Sequence, residues 1–92
     1  MDICIQIGNT DNKLTQQEWS EFIYGIESKL KWGAEKIYFS GFSCPDAEWQ
    51  NACWVFSCSD SNISLLKESL SYIRFIYKQD SIAWSELTTE FI

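Results

Sequence analysis

The chain has no histidine, a single proline and no clustered basic residues. It also lacks any apolar run of the ~20 residues that a membrane-spanning helix needs. Each absence removes a class of function. Without imidazole there is no His-based triad, no imidazole general base, and little scope for catalytic zinc. Seven Lys and Arg are scattered along the sequence against thirteen Asp and Glu, for a net charge of −6. Phosphate binding needs cations gathered on one surface, so direct contact with DNA or RNA is not expected. Residues 1–4 read as the start of a strand rather than a signal peptide, so the expectation is a cytoplasmic protein with no membrane contact.

Cysteine is limited to Cys4, Cys44, Cys53 and Cys58. In a reducing compartment these read as buried thiols rather than disulfides. Their spacing contains no C-x2-C knuckle, so neither a zinc site nor any other cofactor is expected. Repeats, low-complexity runs and linkers are absent too, which leaves one domain spanning residues 1–92.

Aromatic residues are plentiful: five Trp, four Tyr and six Phe. A core of this size absorbs about half of such a set. The remaining rings belong at the surface, where binding sites use them.

Hydrophobic periodicity sets the elements. Ile3, Ile5 and Ile7 alternate with Cys4 and Gln6, as in a strand with one buried face. Thr15 and Glu18 form a capping box, and Leu14 and Trp19 occupy the hydrophobic-staple positions around it. Trp19, Phe22, Ile23, Ile26 and Leu30 continue the core stripe of that helix, and Gly33 is expected to end it in a left-handed cap. A second strand over residues 36–42 sets Ile37 and Phe39 against Tyr38 and Ser40. The third strand, about residues 51–58, is apolar on both faces, so alternation alone does not say which is buried. Residues 59–62 offer several N-caps for a helix carrying Ile63, Leu66, Leu70, Ile73 and Tyr77. Residues 81–87 form a fourth strand.

The order is βαββαβ, which predicts an α+β, ferredoxin-like sandwich: a four-stranded antiparallel sheet with two helices on one face. A right-handed crossover makes the first two strands parallel. Three polar segments, at residues 8–13, 45–51 and 79–81, then fall at one end of the sheet.

The stretches IGNTDNKLTQQEW, WQNACW and QDSIAW, with the closing TEF, resemble a family of small uncharacterised bacterial proteins. The resemblance covers most of the chain. It implies no activity, ligand or partner for any residue.

The candidate binding residues at the shared end are Asn9, Asp11, Asn12, Lys13, Asp46, Trp49, Gln50, Asn51, Gln79 and Asp80. Amides and carboxylates around one indole suit either a protein partner or a small polar ligand. Asp11, Asp46 and Asp80 could hold a hard cation only if their side chains converged, and no EF-hand spacing is present. No catalytic constellation is legible. Size, acidity and surplus aromatics point to a non-enzymatic binding protein of the inhibitor, immunity or anti-defence kind, with a basic protein as its partner. The alternative at the same end is a polar ligand such as a nucleotide, and the uncovered sheet face would suit a second copy of the chain.

Overall fold

The computed structural model describes residues 1–9, 13–44 and 47–92. The elements are β1 (Asp2–Gly8), α1 (Gln16–Gly33), β2 (Lys36–Phe42) and β3 (Asn51–Ser57), followed by a 3-10 turn (Asp60–Asn62), α2 (Ile63–Ile76) and β4 (Ala83–Leu87). The strands form one sheet in the order β2-β3-β1-β4, with every pairing antiparallel. β1 and β2 both oppose β3 and therefore run parallel to each other. The ferredoxin-like arrangement expected from the element order is the one observed.

Register separates the two faces. Ile3, Ile5 and Ile7 pair with Phe56, Trp54 and Ala52, and all six are buried beneath the helices. This decides the face of β3: the larger rings point inward, and Cys53, Val55 and Ser57 point out. From α1 come Trp19, Phe22, Ile26 and Leu30, and from α2 Leu66 and Leu70, to close the core. Each such side chain stabilises the fold by roughly 1.5–3 kcal/mol of apolar burial. Trp54 is the exception within this set. Its indole N–H finds no partner among the described residues, and an unpaired buried donor costs about 1–3 kcal/mol.

The open face of the sheet is a grid of short rows. Lys36, Ser57, Asp2 and Leu87 are neighbours in one row; Phe39, Val55, Cys4 and Ser85 in the next; Gly41, Cys53, Gln6 and Ala83 in the third. The β2 part of this grid differs from simple alternation. A register shift between Ile37 and Phe39 inserts Tyr38 as an extra residue. Ile37 stays on the helix side while Phe39 turns to the open face.

Local signals at the helix ends are met unevenly. Thr15 Oγ1 accepts from the Glu18 N–H and the Glu18 carboxylate accepts from the Thr15 N–H, so the capping box is complete. Gly33 does not adopt the left-handed conformation. The chain leaves α1 through Ala34 in extended geometry, with the Ala34 N–H bonded to the Leu30 carbonyl. Glycine at 33 instead gives room to a neighbour: a β-carbon there would stand 3.0 Å from the Leu66 side chain, which would have to shift by a few tenths of an ångström. Residues 59–62 supply no side-chain cap to α2; the 3-10 turn takes that place. The left-handed residue lies at the other end of α2. Lys78 has φ 55°, with Lys78 N–H bonded to Phe75 O and Gln79 N–H to Arg74 O, a Schellman closure.

None of the cysteines is in a disulfide. Cys58 is buried and Cys4 and Cys53 are half-buried, but Cys44 is exposed, contrary to the expectation of four buried thiols. Cys44 lies past the end of β2, where the chain has left the sheet. No helix among the described residues is long and apolar enough to cross a membrane.

Candidate functional site

Strand direction gathers the polar segments at one end. Gly8, the last residue of β1, pairs with Asn51, the first of β3, while Phe42 at the end of β2 pairs with Ala52. Ala83, which opens β4, pairs with Gln6 two residues from the end of β1. The connections leaving β1 and β2 and those entering β3 and β4 therefore share this end.

Asn9 builds its foundation. The side chain is 1% exposed. Its Nδ2 donates to Leu14 O at 3.1 Å and to Gln50 Oε1 at 3.0 Å, and its Oδ1 accepts from the Leu14 N–H at 3.1 Å. Its own N–H donates to the Gln50 carbonyl at 2.8 Å. Asn9 therefore lies beneath the surface, tying the first loop to the β2–β3 connection. Gln50 extends the network to α1. Its Nε2 donates to Gln16 Oε1 at 2.8 Å, and Gln16 Nε2 donates back to Gln50 Oε1 at 3.1 Å.

Trp49 stands above this framework, 55% exposed. Asn51, two residues on, donates its Nδ2 to Trp49 O at 3.5 Å and its N–H to Ser43 Oγ at 3.1 Å. On the β4 side, Gln79 is buried and its Nε2 donates to Tyr77 O at 3.0 Å, while its carbonyl accepts from Arg74 at 2.8 Å. Asp80 is exposed and lies 3.7 Å from the Lys13 ammonium, so an ion pair spans the first loop and the α2–β4 connection. Both groups are solvated, so the pair adds little stability and mainly sets local charge.

Two shallow recesses flank this end on the open face. One, of about 260 Å³, is lined by Gln6, Asn51, Gln79, Asp80 and Ser81 among others. The other, of about 370 Å³, lies toward β2 against Phe39, Gly41, Phe42 and Cys53. Gln6, Ile7 and Asn51 border both, so the two are continuous across the ends of β1 and β3.

Of the residues expected here, Asn9, Lys13, Trp49, Gln50, Asn51, Gln79 and Asp80 are placed at this end. Asn9 and Gln79 serve it from below. Asp11, Asn12 and Asp46 lie outside the described residues, and with them the three-carboxylate cation arrangement. Among the described residues no group of three Cys, Asp or Glu side chains is gathered as for a metal ion.

Sequence reasoning missed Gln16. Its signal was its place immediately after the Thr15 cap, at the same end as Gln50. It also missed where the surplus rings go. Tyr24 on α1 and Tyr72 and Phe75 on α2 are exposed on the outside of the helix layer, as are Tyr38, Phe39 and Phe42 on the edge strand β2. Trp49 and, at the end of β2, Phe42 are exposed rings at the polar end.

Two thiols lie close together near the recess. Cys4 and Cys53 sit diagonally on β1 and β3 with their sulfurs 3.4 Å apart. Burial, then the hydrogen bond and charge of Cys53, push Cys4 up to about 11. It is protonated at neutral pH and a poor nucleophile.

No protein-family model matches the chain, and no curated protein matches it.

Proposed function

We propose that this chain is a non-enzymatic binding protein that engages a protein partner through its polar end, with Trp49 as the anchor and the acidic surface guiding approach. It belongs on this reading with inhibitors, immunity proteins and anti-defence proteins, whose task is to occlude another protein's surface. The observation that carries it is Trp49 itself: a largely exposed indole on a main chain held by Asn51 and, through Gln50, by Asn9 and Gln16. A large exposed ring beside a hydrogen-bonded framework offers the apolar area that an interface anchor uses. A net charge of −6 favours a basic partner and speeds encounter at low salt.

Affinity capture from host cells tests this with wild-type and Trp49→Ala protein in parallel. The expected result is a basic protein held by the wild type and released by raised salt, with Trp49→Ala weakening it by at least ~2 kcal/mol. Identical binding by both proteins would refute the reading.

The same end supports a second reading, a small polar ligand held in the recess formed by Asn51, Gln79 and Asp80. The recess is shallow and open rather than enclosing, which ranks this reading second. A thermal-shift screen against nucleotides and polar metabolites decides it: no shift with any compound removes the ligand reading.

A further inference from the structure

Two of the four cysteines stand together on the open face of the sheet. Cys4 on β1 and Cys53 on β3 hold their sulfurs 3.4 Å apart, a thiol hydrogen bond in which either can donate. Both are reduced and half-buried. The fold sets the other two thiols aside. Cys58, past the far end of β3, is buried and its Sγ donates to the carbonyls of Gly33 and Ser59. Cys44 is exposed beyond β2.

Strand register defines what the pair can do. Cys4 is opposite Val55 and Cys53 opposite Gln6, so the two are diagonal neighbours. Diagonal positions start roughly 7–8 Å apart, further than the ~4.4–6.8 Å between α-carbons that a relaxed disulfide spans. The side chains have already brought the sulfurs to 3.4 Å, and a bond needs ~2.05 Å. A bridge therefore forms with a small inward movement of β1 and β3, and that strain makes it easy to reduce again.

Access is one-sided. Cys53 lines the recess of about 370 Å³ beside Phe39, Gly41 and Phe42, and Cys4 stands outside that lining. A reagent in the recess meets Cys53 first. Burial keeps Cys4 protonated at neutral pH, so its S–H can donate to Cys53 when that sulfur carries the charge.

We propose that Cys4 and Cys53 form a redox-active dithiol, oxidised reversibly to a cross-strand disulfide by low-molecular-weight disulfides of the glutathione class. The Cys53 thiolate attacks one sulfur of the small disulfide, whose S–S bond breaks and releases one thiol. The Cys4 thiolate then attacks Cys53 Sγ, which forms the Cys4–Cys53 bond and expels the second thiol. The two cysteines lose two electrons and two protons, and the small disulfide gains them as two thiols. Cys4 is the resolving group, and its step waits on loss of its proton. The proposal is independent of the role given to Trp49.

The Cys44→Ser chain, which lacks the exposed thiol, tests it, with wild type mapped in parallel. Folded, reduced protein is equilibrated with oxidised and reduced glutathione at graded ratios and quenched in acid. Alkylation and mass spectrometry then count the thiols. Free thiols are expected to fall from three to one, Cys58, with Cys4 and Cys53 recovered in one cross-linked peptide pair. Excess reduced glutathione should return both. Cys4→Ser should stop the reaction at a glutathione adduct on Cys53, and Cys4→Ala serves where Cys4→Ser impairs folding, judged by circular dichroism. Three free thiols at every ratio overturn the proposal, as does a glutathione adduct that persists while Cys4 is present. So does a bridge that forms only in urea, or one that reduced glutathione leaves in place.

Discussion

Gln16 and Gln50, thirty-four residues apart, exchange two amide hydrogen bonds of 2.8 and 3.1 Å and so fasten the β2–β3 connection to the start of α1. The Gln50 carbonyl oxygen accepts from Asn9 as well. One side-chain oxygen thus joins three segments of the polar end, and Trp49 is the residue beside it.

This network predicts unequal costs. Asn9→Ala orphans the buried Leu14 N–H and releases Gln50, so it should destabilise by about 2–4 kcal/mol. Gln16→Ala removes solvent-exposed bonds and should cost under about 1 kcal/mol. Urea denaturation of both variants and of the double variant measures this. The couplings run through one atom, so the two losses should be less than additive.

The thiols predict a pH dependence at the alkaline end. Cys4, pushed up to about 11 from an ordinary 9.0 chiefly by burial, stays protonated in the folded chain after its unfolded counterpart has ionised. Folding stability should therefore fall as pH rises from about 9 towards 11, with no contribution below that window. Burial raises Cys58 and Tyr77 as well, so Cys4→Ala should flatten the slope without abolishing it. Urea midpoints across this range give the slope. A thiol reagent near neutral pH should label exposed Cys44 well before the other three.

Lys78 sits where glycine is usual. A side chain at φ 55° carries a local cost of about 1–2 kcal/mol, which glycine avoids while adding some unfolded-state entropy. Lys78→Gly should raise stability by about 0.5 kcal/mol, and β-branched Lys78→Val should lower it by about 1 kcal/mol or more. Thermal unfolding of the pair reports the difference.

The capping box predicts the acid limb. The Thr15 backbone N–H, then its side chain, hold Glu18 below the usual carboxylate range. Its contribution is present above the unfolded value of 4.5 and is lost as pH falls through the lower folded value. Thr15→Ala should cost about 1 kcal/mol at neutral pH and less once the pH has fallen far enough to protonate Glu18 in both proteins.

Local chemistry explains what could be read from the residues alone. The spacing of Ile3, Ile5 and Ile7 and the Thr15–Glu18 pair encode β1 and the start of α1 within a few positions each. Strand direction then followed from element order, and it collects the polar segments without any knowledge of side-chain contacts. The bulge at Tyr38 was hidden because an inserted residue leaves no mark in an alternating run of rings. Both faces of β3 are apolar, so only pairing with β1 distinguishes Trp54 from Val55. Gly33 and Lys78 misled in complementary ways: one glycine answers to the proximity of Leu66, and one lysine accepts a conformation glycine would have announced. Gln16 looked like any solvated residue in a first helical turn, since its partner is distant in sequence.

The central claim is that Trp49 contacts a protein partner. A photo-crosslinking amino acid placed at position 49, and separately at position 24 on the outside of α1, tests it in host cells. The account predicts a defined adduct from position 49 and none from position 24. An adduct from position 24 alone, or from neither position, would contradict it.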